Sequence, residues 1–482
     1  MTQDVANFGT KAVEAVRVAS AAWKAFTVQE RVGVLRRFRV GLAREVGRFG
    51  QLVASSTLGE AEGLSAEIIP FLEACCFLER HALGLLAERR IRGKSGGWFG
   101  SSKEVWEERE PFGVVGVIAP SNYRFFIGAV QVMQALVAGN GVVWKPGVGG
   151  GAAAAHFRMV WEQSGGVPGT LEILDEGVEA GVALVEGRPD LVVFTGSSDA
   201  GLKVAERCGA LGVPTIIEAS GCDAMFVLED ADLGLAAKAL VFGLRLNAGR
   251  TCIAPRRVIV AESVAEPFER FVSDEVVAWR GLQWHEGAEA RIRGWAEEAE
   301  SGGAVLLGGG LFGAGVCVYS GCAPSMKLVG EDVHAPVAGI LRAKSDDDAL
   351  RIANGTAYGL GASVFSRDTE HARSFARRVR AGTVTINDVV VPTADARVGF
   401  GGWGRSGWGV TRGREGFLAM TRVRCVHVCP SKEHAHLGVM RPSALFFRAC
   451  VAFRHGERRV YGLMGMLAGI WKMFVDRKQP VH

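Results

Sequence analysis

The sequence predicts an α/β protein in which two open α/β domains join near Gly221. Three observations support this prediction. Apolar runs rich in β-forming residues alternate with helical stretches along most of the chain. These runs are apolar throughout, as are strands of a parallel sheet that helices cover on both faces. The chain has 482 residues, of which 48% are hydrophobic, and this is enough for about three domains or two large ones.

Composition and charge exclude several classes of protein. Glycine contributes 65 residues but follows no G-x-y period, which excludes collagen. The N-terminus shows no signal peptide and ten cysteines are too sparse for a disulfide scaffold, so we expect a cytoplasmic protein with reduced thiols. The net charge is +4, but residues 431–482 carry +6 and the remainder −2. We therefore expect no nucleic-acid partner, and any attraction to an anionic surface belongs to the C-terminal tail.

The order of elements follows from the periodicity of apolar residues. Residues 11–90 show helical spacing, residues 95–102 are a Gly- and Ser-rich break, and residues 103–110 alternate as an exposed strand does. The first α/β series has strands at 114–119, 141–144, 191–194 and 215–217 and helices at 127–137, 152–163 and 201–208; the second has strands at 224–228, 257–260, 337–341, 363–365 and 383–386. The uncharged residues 125–144 have membrane-span length, but Gly139 predicts a buried helix that ends before a buried strand.

Two side chains at loop or strand ends are candidates for catalysis. Cys252 lies in a glycine-containing loop near Arg250, Arg256 and Arg257, whose charges can lower the pKa of its thiol. The alternative is a small buried core cysteine. Glu218 ends a buried strand, where burial raises the pKa of a carboxyl toward the range of a general base, although it also fits a solvated turn.

Three further sites follow strands of the first series. Gly196 and Ser197 open a helix, and the free N–H groups of a helix N-terminus bind anions, but a simple Ser N-cap explains them equally. Lys145 can meet a ribose or phosphate, or be a surface charge. Asn122 can donate to an oxyanion, or cap the next helix. No standard nucleotide motif and no metal-binding spacing of cysteines occurs.

Together these segments resemble the aldehyde dehydrogenase superfamily from about residue 112 to residue 423. The motifs occur in the family's order: Pro111-Phe112-Gly113, Ser121-Asn122-Tyr123, Trp144-Lys145-Pro146, Phe194-Thr195-Gly196-Ser197, Glu218-Ala219-Ser220-Gly221, Gly249-Arg250-Thr251-Cys252, Glu331-Asp332-Val333-His334-Ala335-Pro336 and Phe400-Gly401-Gly402. The run 249–255, residues 387–391 and the basic, apolar C-terminal extension look most like the class-3 branch, which includes fatty aldehyde dehydrogenases.

The resemblance implies a fold and a set of roles. It implies two Rossmann-like open α/β domains, with residues 1–97 and 114–220 binding NAD or NADP, residues 221–405 catalytic, and residues 98–113 and 406–430 forming a small β oligomerisation arm of a homodimer. By this resemblance Cys252 is the nucleophile and Glu218 is the base. The side chain of Asn122 and the N–H of Cys252 then form the oxyanion hole. The implied cofactor-binding residues are Ser121, Lys145, Val148, Gly196, Ser197, Asp332 and His334.

This chain departs from the family's pattern mainly on the cofactor side. Arg250 stands where the family usually has Gln, and Asp332 stands where it has a ribose-binding Glu. His334 replaces a Phe, and Val148 replaces an acidic residue that is common in the family. Since Val148 neither repels a phosphate nor binds a ribose hydroxyl, we expect both NAD and NADP to be used. Residues 263–310 look shortened, which changes the predicted substrate mouth.

The C-terminal tail, residues 431–482, predicts an amphipathic helix. Apolar side chains at helical spacing share one face: Leu463, Met466, Leu467, Ile470, Trp471 and Phe474. With the surrounding Arg and Lys residues, residues 441–478 fit a helix lying on the inner face of a membrane, or equally a helix docked on the protein itself.

The sequence therefore predicts NAD(P)-dependent oxidation of an apolar, long-chain aldehyde to its acid through a thioester on Cys252. Two alternatives stay open. In the first, coenzyme A takes the acyl group, which would not require the base Glu218. In the second, the chain is a paralogue that has lost turnover and acts as a membrane-attached binding or scaffold protein, which the retained Cys252, Glu218 and Asn122 oppose.

Overall fold

The computed structural model describes residues 3–55, 57–91, 104–309, 312–428, 444–456 and 459–476. They fall into two compact units, residues 1–87 with 109–423 and residues 88–108 with 424–482. The helices are α1 (Gln3–Lys24), α2 (Val28–Arg44), α3 (Val46–Val53), α4 (Glu60–Gly63), α5 (Ile69–Leu86), α6 (Phe126–Ala138), α7 (Gly151–Gln163), α8 (Val178–Glu186), α9 (Ser198–Ala210), α10 (Leu233–Arg245), α11 (Ala265–Val277), α12 (Ala288–Ser301), α13 (Lys327–Gly330), α14 (Asp346–Asn354), α15 (Thr369–Ala376), α16 (Gly413–Leu418), α17 (Ala444–His455) and α18 (Arg459–Asp476). The strands are β1 (Arg89–Ile91), β2 (Glu104–Pro111), β3 (Val114–Ile118), β4 (Gly141–Lys145), β5 (Leu171–Ile173), β6 (Leu191–Gly196), β7 (Thr215–Ala219), β8 (Asp223–Val227), β9 (Pro255–Ala261), β10 (Val305–Leu306), β11 (Cys317–Ser320), β12 (Val337–Ala343), β13 (Gly361–Phe365), β14 (Thr383–Ile386), β15 (Gly407–Trp408) and β16 (Thr421–Val428).

A six-stranded sheet carries the first α/β series. Its order is β15-β7-β6-β3-β4-β5, and all neighbours are parallel except the short β15 beside β7. The chain builds outward from β3 to β4 and β5, then returns to place β6 and β7 on the other side of β3. Ligands of open α/β sheets bind outside the carboxyl ends of the strands at such a reversal, so this topology places a crevice beyond the ends of β3 and β6.

A seven-stranded sheet carries the second series, in the order β10-β11-β12-β9-β8-β13-β14. It is parallel except between β10 and β11. Helices bury apolar side chains on both faces of each sheet, and this confirms the prediction of parallel sheets covered on both sides. The assignment of one sheet to cofactor binding and the other to catalysis, with the predicted domain limits, stays a prediction.

The predicted helices and strands differ from the structure mainly at their ends. The helical N-terminal block is confirmed as α1 to α5, and α6 ends at Gly139, whose φ of +99° suits glycine. The strand at 103–110 is confirmed as β2, but its side chains are half-buried rather than exposed. In the described ranges no helix is long and apolar enough to cross a membrane, as we expect for residues 125–144.

A buried carboxylate organises the loop that follows β3. Glu67, in a short π-helical segment (Leu64–Ile68), accepts backbone hydrogen bonds from Phe125 at 2.6 Å and Phe126 at 3.0 Å. These N–H groups begin α6 and have no side-chain cap of their own, so Glu67 satisfies donors that would otherwise be unpaired. Burial raises the pKa of Glu67 to about 7. The N-terminal helical block therefore fixes the start of α6 and the loop before it.

The second unit consists of a small sheet and a helical hairpin. The sheet has the order β1-β2-β16. In the hairpin α17 packs on α18 around Phe446, Ala449 and Met466, and glycines of α18 let the two backbones approach closely. Met466 is thus buried against α17, contrary to the prediction of one amphipathic face, while Leu463, Leu467, Ile470 and Trp471 are exposed. Residues 92–103, 429–443, 457–458 and 477–482 of the predicted break, arm and tail lie outside the described residues, as does the side chain of Phe474.

Candidate active site

The carboxyl ends of the parallel strands converge on one cleft of about 670 Å³. Ser121 and Asn122 follow β3, Lys145 ends β4, Ser197 follows β6, and Glu218 lies at the end of β7. Because neighbouring parallel strands end at the same edge of a sheet, residues far apart in sequence meet there. All ten residues that the sequence singles out line this cleft: Ser121, Asn122, Lys145, Val148, Gly196, Ser197, Glu218, Cys252, Asp332 and His334.

Cys252 lies on a tightly turned loop between a 3₁₀ turn (Leu246–Gly249) and β9. Asn247, Ala248 and Gly249 have successive φ values of +50°, +47° and +73°. A Cβ on Gly249 would lie 2.2 Å from the carbonyl carbon of Ala335, so only glycine fits there. This turn sets the direction in which the chain reaches Cys252.

Several hydrogen bonds join the nucleophile loop to the loop after β3. The side-chain amide of Asn122 donates to the Arg250 carbonyl at 2.8 Å, and the Asn247 amide donates to the Asn122 carbonyl at 2.7 Å. The hydroxyls of Tyr123 and Thr251 lie 2.7 Å apart. Asn122 is therefore held beside the Cys252 loop, with one of its two amide hydrogens engaged by a backbone carbonyl.

The prediction that neighbouring arginines lower the pKa of Cys252 is wrong. The guanidinium of Arg256 donates to the carbonyls of Ala335 and Gly249, and that of Arg257 to backbone carbonyls at 2.8 to 3.2 Å. Burial instead raises the pKa of the Cys252 thiol, and the nearby Glu218 carboxylate raises it further. Cys252 is half-buried at the cleft, so it is not a sealed core cysteine.

Glu218 is a buried carboxylate, 4% exposed, rather than a solvated turn residue. The Thr411 hydroxyl donates to its Oε2 at 3.1 Å. Burial raises the pKa of Glu218, and the Arg412 charge and this hydrogen bond oppose the shift. The direction predicted for a general base is therefore confirmed.

One part of the cleft offers a lysine and a helix N-terminus. Burial lowers the pKa of Lys145, and the carboxylate of Glu176 opposes this shift. Ser197 caps α9, its hydroxyl accepting from the Ala200 N–H at 3.4 Å. Val148 is 63% exposed at the same cleft. A cation and free N–H groups together suit an anionic ligand such as a pyrophosphate.

Another part of the cleft carries polar atoms that have no partner. His334 Nδ1 and Asp332 Oδ1 are buried and make no hydrogen bond within the described residues. Burial lowers the pKa of His334 to about 4, so it is neutral at pH 7 and can donate or accept. Unpaired buried polar atoms are costly, and hydroxyls of a bound ribose would satisfy them. These residues therefore fit a dinucleotide.

His285 and Arg291 are two residues of the cleft that were not predicted from the sequence. Both come from residues 263–310, the stretch that looks shortened. Arg291 donates to the carbonyls of Asp332 and Val333 and so supports the segment that carries His334. Neither residue belongs to a motif, and only tertiary contacts reveal them. Among the described residues no group of three or more His, Cys, Asp or Glu is placed to hold a metal ion.

Comparison with known proteins decides the family. The sequence profile described as "Aldehyde dehydrogenase family" matches residues 6–426. The chain belongs to the aldehyde dehydrogenase family. The match to one family across both sheets agrees with the mixed α/β fold and with the single cleft in which its motifs meet.

Relatives of this aldehyde dehydrogenase differ in the substrates that their names state. It is 28% identical to a 4,4'-diapolycopene aldehyde oxidase of Methylomonas sp over 426 residues, covering 83% of this chain and 78% of that protein. It is 30% identical to aldehyde dehydrogenase 1A1 of Macaca fascicularis over 453 residues, covering 88% of each. The class-3 branch is therefore not singled out by these relatives.

Solved structures agree with the fold and the cofactor class. NADP-dependent glyceraldehyde-3-phosphate dehydrogenase from Bacillus halodurans, complexed with NADP, superposes with a TM-score of 0.79 at 28% identity, covering 88% of this chain and 92% of that chain. An aldehyde dehydrogenase of Mycobacterium tuberculosis complexed with NAD+ gives a TM-score of 0.79 at 27% identity, covering 87% and 90%. The prediction of an NAD(P)-dependent aldehyde dehydrogenase is confirmed.

Proposed function

We propose that this enzyme oxidises an apolar aldehyde to its carboxylic acid through a thioester on Cys252. The observation that carries the proposal is the placement of Cys252, Glu218 and Asn122 on one cleft, where the charge of the buried carboxylate acts on the thiol. A thiol and a separate carboxylate supply the two functions that the reaction needs, a nucleophile and a base.

The chain's own groups and a nicotinamide account for the bond changes. The Cys252 thiol releases its proton to solvent, its sulfur attacks the aldehyde carbon, and the carbonyl electrons move to oxygen. The Asn122 amide and the Cys252 N–H then hold the oxyanion. A nicotinamide, when bound, would accept the hydride that leaves this carbon as the carbonyl re-forms to give the thioester. Glu218 takes a proton from water, whose oxygen attacks the resulting thioester, and Cys252 is released as the acid forms.

We assign the cofactor to the same cleft. The adenosine ribose would lie beside Val148 and be held by Lys145 and Ser121. The Gly196–Ser197 turn at the start of α9 would bind the pyrophosphate. Asp332 and His334 would receive the second ribose through their unpartnered atoms. With a valine at 148, neither NAD nor NADP is repelled, and both would be used.

The apolar nature of the substrate rests on two observations. Apolar side chains line the cleft that holds the catalytic pair, among them Ile118, Ile127 and Phe194. The relative from Methylomonas is named for oxidising a 4,4'-diapolycopene aldehyde. We favour a long-chain aldehyde of the kind used by the class-3 and fatty aldehyde branch. Retention of the buried base Glu218 favours hydrolysis over transfer of the acyl group to coenzyme A.

We further propose that the α17–α18 hairpin attaches the enzyme to an anionic membrane surface. Large hydrophobic side chains are exposed on both helices: Leu445, Phe447, Val451, Phe453, Val460, Tyr461, Leu463, Met464, Leu467, Ile470 and Trp471. The exposed cations Arg448, Arg454 and Arg459 accompany them. This combination suits a hairpin lying in the interface, where the apolar face enters the acyl boundary and the guanidinium groups meet lipid phosphates.

We also propose a homodimer formed through the arm. β16 is an edge strand of the β1-β2-β16 sheet as the described residues form it, and most of its side chains are exposed. The outer edge of an edge strand offers N–H and C=O groups to a second copy. A symmetric contact of this kind is the common form of a two-subunit enzyme.

Replacing the base separates the two halves of the reaction. Glu218→Gln should release one equivalent of reduced cofactor and then stall, because only water activation is lost, and the steady-state rate should fall by roughly 100-fold or more. Stopped-flow absorbance of the reduced nicotinamide measures both phases. Cys252→Ala, the control, should show no burst. Wild-type turnover in either variant, or no burst from Glu218→Gln, would contradict the assigned roles.

A charge at position 148 tests the cofactor assignment. Val148→Glu should improve the use of NAD and weaken that of NADP, since a carboxylate binds a ribose hydroxyl and repels a 2′-phosphate, changing the ratio of kcat/KM by about tenfold or more. Val305→Glu is a matched control, because Val305 is 62% exposed on β10 and does not line the cleft. An unchanged ratio in Val148→Glu would mean that residue 148 is not beside the ribose.

Truncation after Val428 tests the membrane proposal. The full chain should float with vesicles that contain anionic lipid, and the truncated chain should not, while its activity is retained because the candidate catalytic residues precede the cut. Leu467→Glu combined with Trp471→Glu changes only exposed side chains of the intact hairpin, at 62% and 72% exposure, and should also abolish flotation. Equal flotation of all proteins would refute the proposal, and aggregation of the truncated chain would indicate a docked hairpin.

A further inference from the structure

The segment from Phe400 to Thr411 folds over the end of β7. Within it, Gly407 on β15 pairs with Glu218 on β7, and Thr411 forms an antiparallel bridge with Phe400. In this bridge the Phe400 N–H donates to the Thr411 carbonyl at 2.7 Å, and the Thr411 N–H donates to the Phe400 carbonyl at 2.8 Å. Thr411 is only 1% exposed. Its backbone is therefore fixed in a buried position beside the strand that carries Glu218.

The Thr411 hydroxyl is a hydrogen-bond donor to Glu218. It lies 3.1 Å from Oε2 of Glu218 and 3.2 Å from the carbonyl oxygen of Phe400. A hydroxyl has one hydrogen to donate, and a charged carboxylate accepts it more strongly than a neutral carbonyl does. The hydroxyl therefore binds Glu218 most strongly when that carboxyl is charged.

The charge of Glu218 has few partners among the described residues. Its neighbour on β6, Thr195, is uncharged, as is the glycine opposite it on β15. Burial raises the pKa of the carboxyl, and the Arg412 charge and the Thr411 hydrogen bond oppose that rise. The pKa of the Cys252 thiol is also raised, so the thiol adds no charge in the resting enzyme. A direct hydrogen bond from Thr411 therefore matters for this carboxylate.

We propose that Thr411 is a positioning residue for the base, whose hydroxyl holds Oε2 of Glu218 so that the charged carboxylate faces the water that hydrolyses the thioester. Glu218 lines the cleft, which gives its carboxylate access to water. In this step an O–H bond of the water breaks and its proton passes to Glu218. The water oxygen bonds to the thioester carbon, the C–S bond breaks, and the sulfur leaves as the thiolate of Cys252. The inference rests on the proposed role of Glu218 as the base.

Threonine suits this role for two reasons. A neutral hydroxyl stabilises the carboxylate without the full positive charge of a lysine or arginine, so the carboxyl stays basic enough to accept a proton. A β-branched side chain has few rotamers, so the hydroxyl keeps its direction. Because attack by Cys252 does not use the base, loss of the hydroxyl should slow hydrolysis of the thioester and leave its formation unchanged.

The test measures hydrolysis of a thioester on Cys252 directly. The full chain, without cofactor, is acetylated with p-nitrophenyl acetate and freed of reagent at low pH, where a protonated base slows hydrolysis. It is then moved to a series of pH values, and decay of the thioester is followed by the mass of the Cys252 peptide. The p-nitrophenolate released measures acetylation, and Cys252→Ala supplies the background.

Thr411→Val should be acetylated like the wild type but lose the acetyl group more slowly. Loss of the donor raises the pKa of Glu218, so the rising limb of the pH profile should move upward by about one pH unit, with decay roughly tenfold slower on that limb. Thr411→Ser keeps the hydroxyl and should restore the wild-type profile. Thr411→Ala takes the place of Thr411→Val should the valine variant fail to fold, and the same shift is expected.

Thr421→Val is the matched control. Thr421 is also buried, its hydroxyl donates to the Leu418 carbonyl at 2.7 Å, and it does not line the cleft. Its decay profile should match that of the wild type.

A wild-type decay profile in Thr411→Val overturns the proposal. So does a Thr411→Ser profile that follows Thr411→Val, because packing of the side chain would then explain the loss. Glu218→Gln separates this failure from failure of the proposed function. If its thioester persists while Thr411→Val behaves like the wild type, only the role of Thr411 is refuted. If its thioester decays like that of the wild type, Glu218 is not the base and both assignments are wrong.

Discussion

The active site depends on the set of hydrogen bonds that joins the loop after β3 to the nucleophile loop. One loop belongs to the six-stranded sheet and the other leads into the seven-stranded sheet, so these bonds set the position of Cys252 relative to Asn122. Other residues in turn fix the position of each loop. Glu67 fixes the start of α6, and Thr57 donates to the Asn247 amide oxygen at 2.7 Å. The N-terminal helices therefore support the geometry of a site to which they contribute no reacting group.

Burial gives the site its electrostatic character. It raises the pKa of both Cys252 and Glu218, which favours neutral forms in the resting enzyme. The positive charge of Arg412 opposes this rise in the pKa of both groups. The unpartnered polar atoms of Asp332 and His334 are also buried, so a polar ligand that hydrogen-bonds to them would gain binding free energy. Burial thus affects both the pKa values of Cys252 and Glu218 and the binding of a polar ligand.

The fold was predictable where strands are long and uniformly apolar. β3, β4 and β12 agree with the sequence prediction to within two residues at each end, and α6 ends where Gly139 requires it. Some short strands were missed, such as β5 with three residues and β11 with four, although the four-residue β14 was predicted. The C-terminal hairpin was also missed, because the burial of Met466 against α17 is a contact between helices that no single helical pattern contains.

The candidate site was predictable where a residue follows a strand, and not where a distant segment folds onto it. Lys145 and Glu218 lie at the carboxyl ends of strands of the first sheet, so their placement at one edge of that sheet follows from topology alone. Arg412, His285 and Arg291 carry no motif and reach the site only through tertiary packing. Nearness in sequence misled the interpretation of Arg256, whose guanidinium serves the backbone instead of the thiol.

The two joined loops act as one unit in placing the nucleophile, and the hydrogen-bonded pair Tyr123 and Thr251 allows this coupling to be measured. A double-mutant cycle compares kcat/KM for aldehyde oxidation in Tyr123→Phe, Thr251→Val and the double variant. Each single change leaves a buried hydroxyl unpaired and should lower kcat/KM by about tenfold, or roughly 1.4 kcal/mol, and the double variant should be no slower than either single variant. If the two losses multiply in the double variant, the residues act independently, and the loops are not joined in the way described.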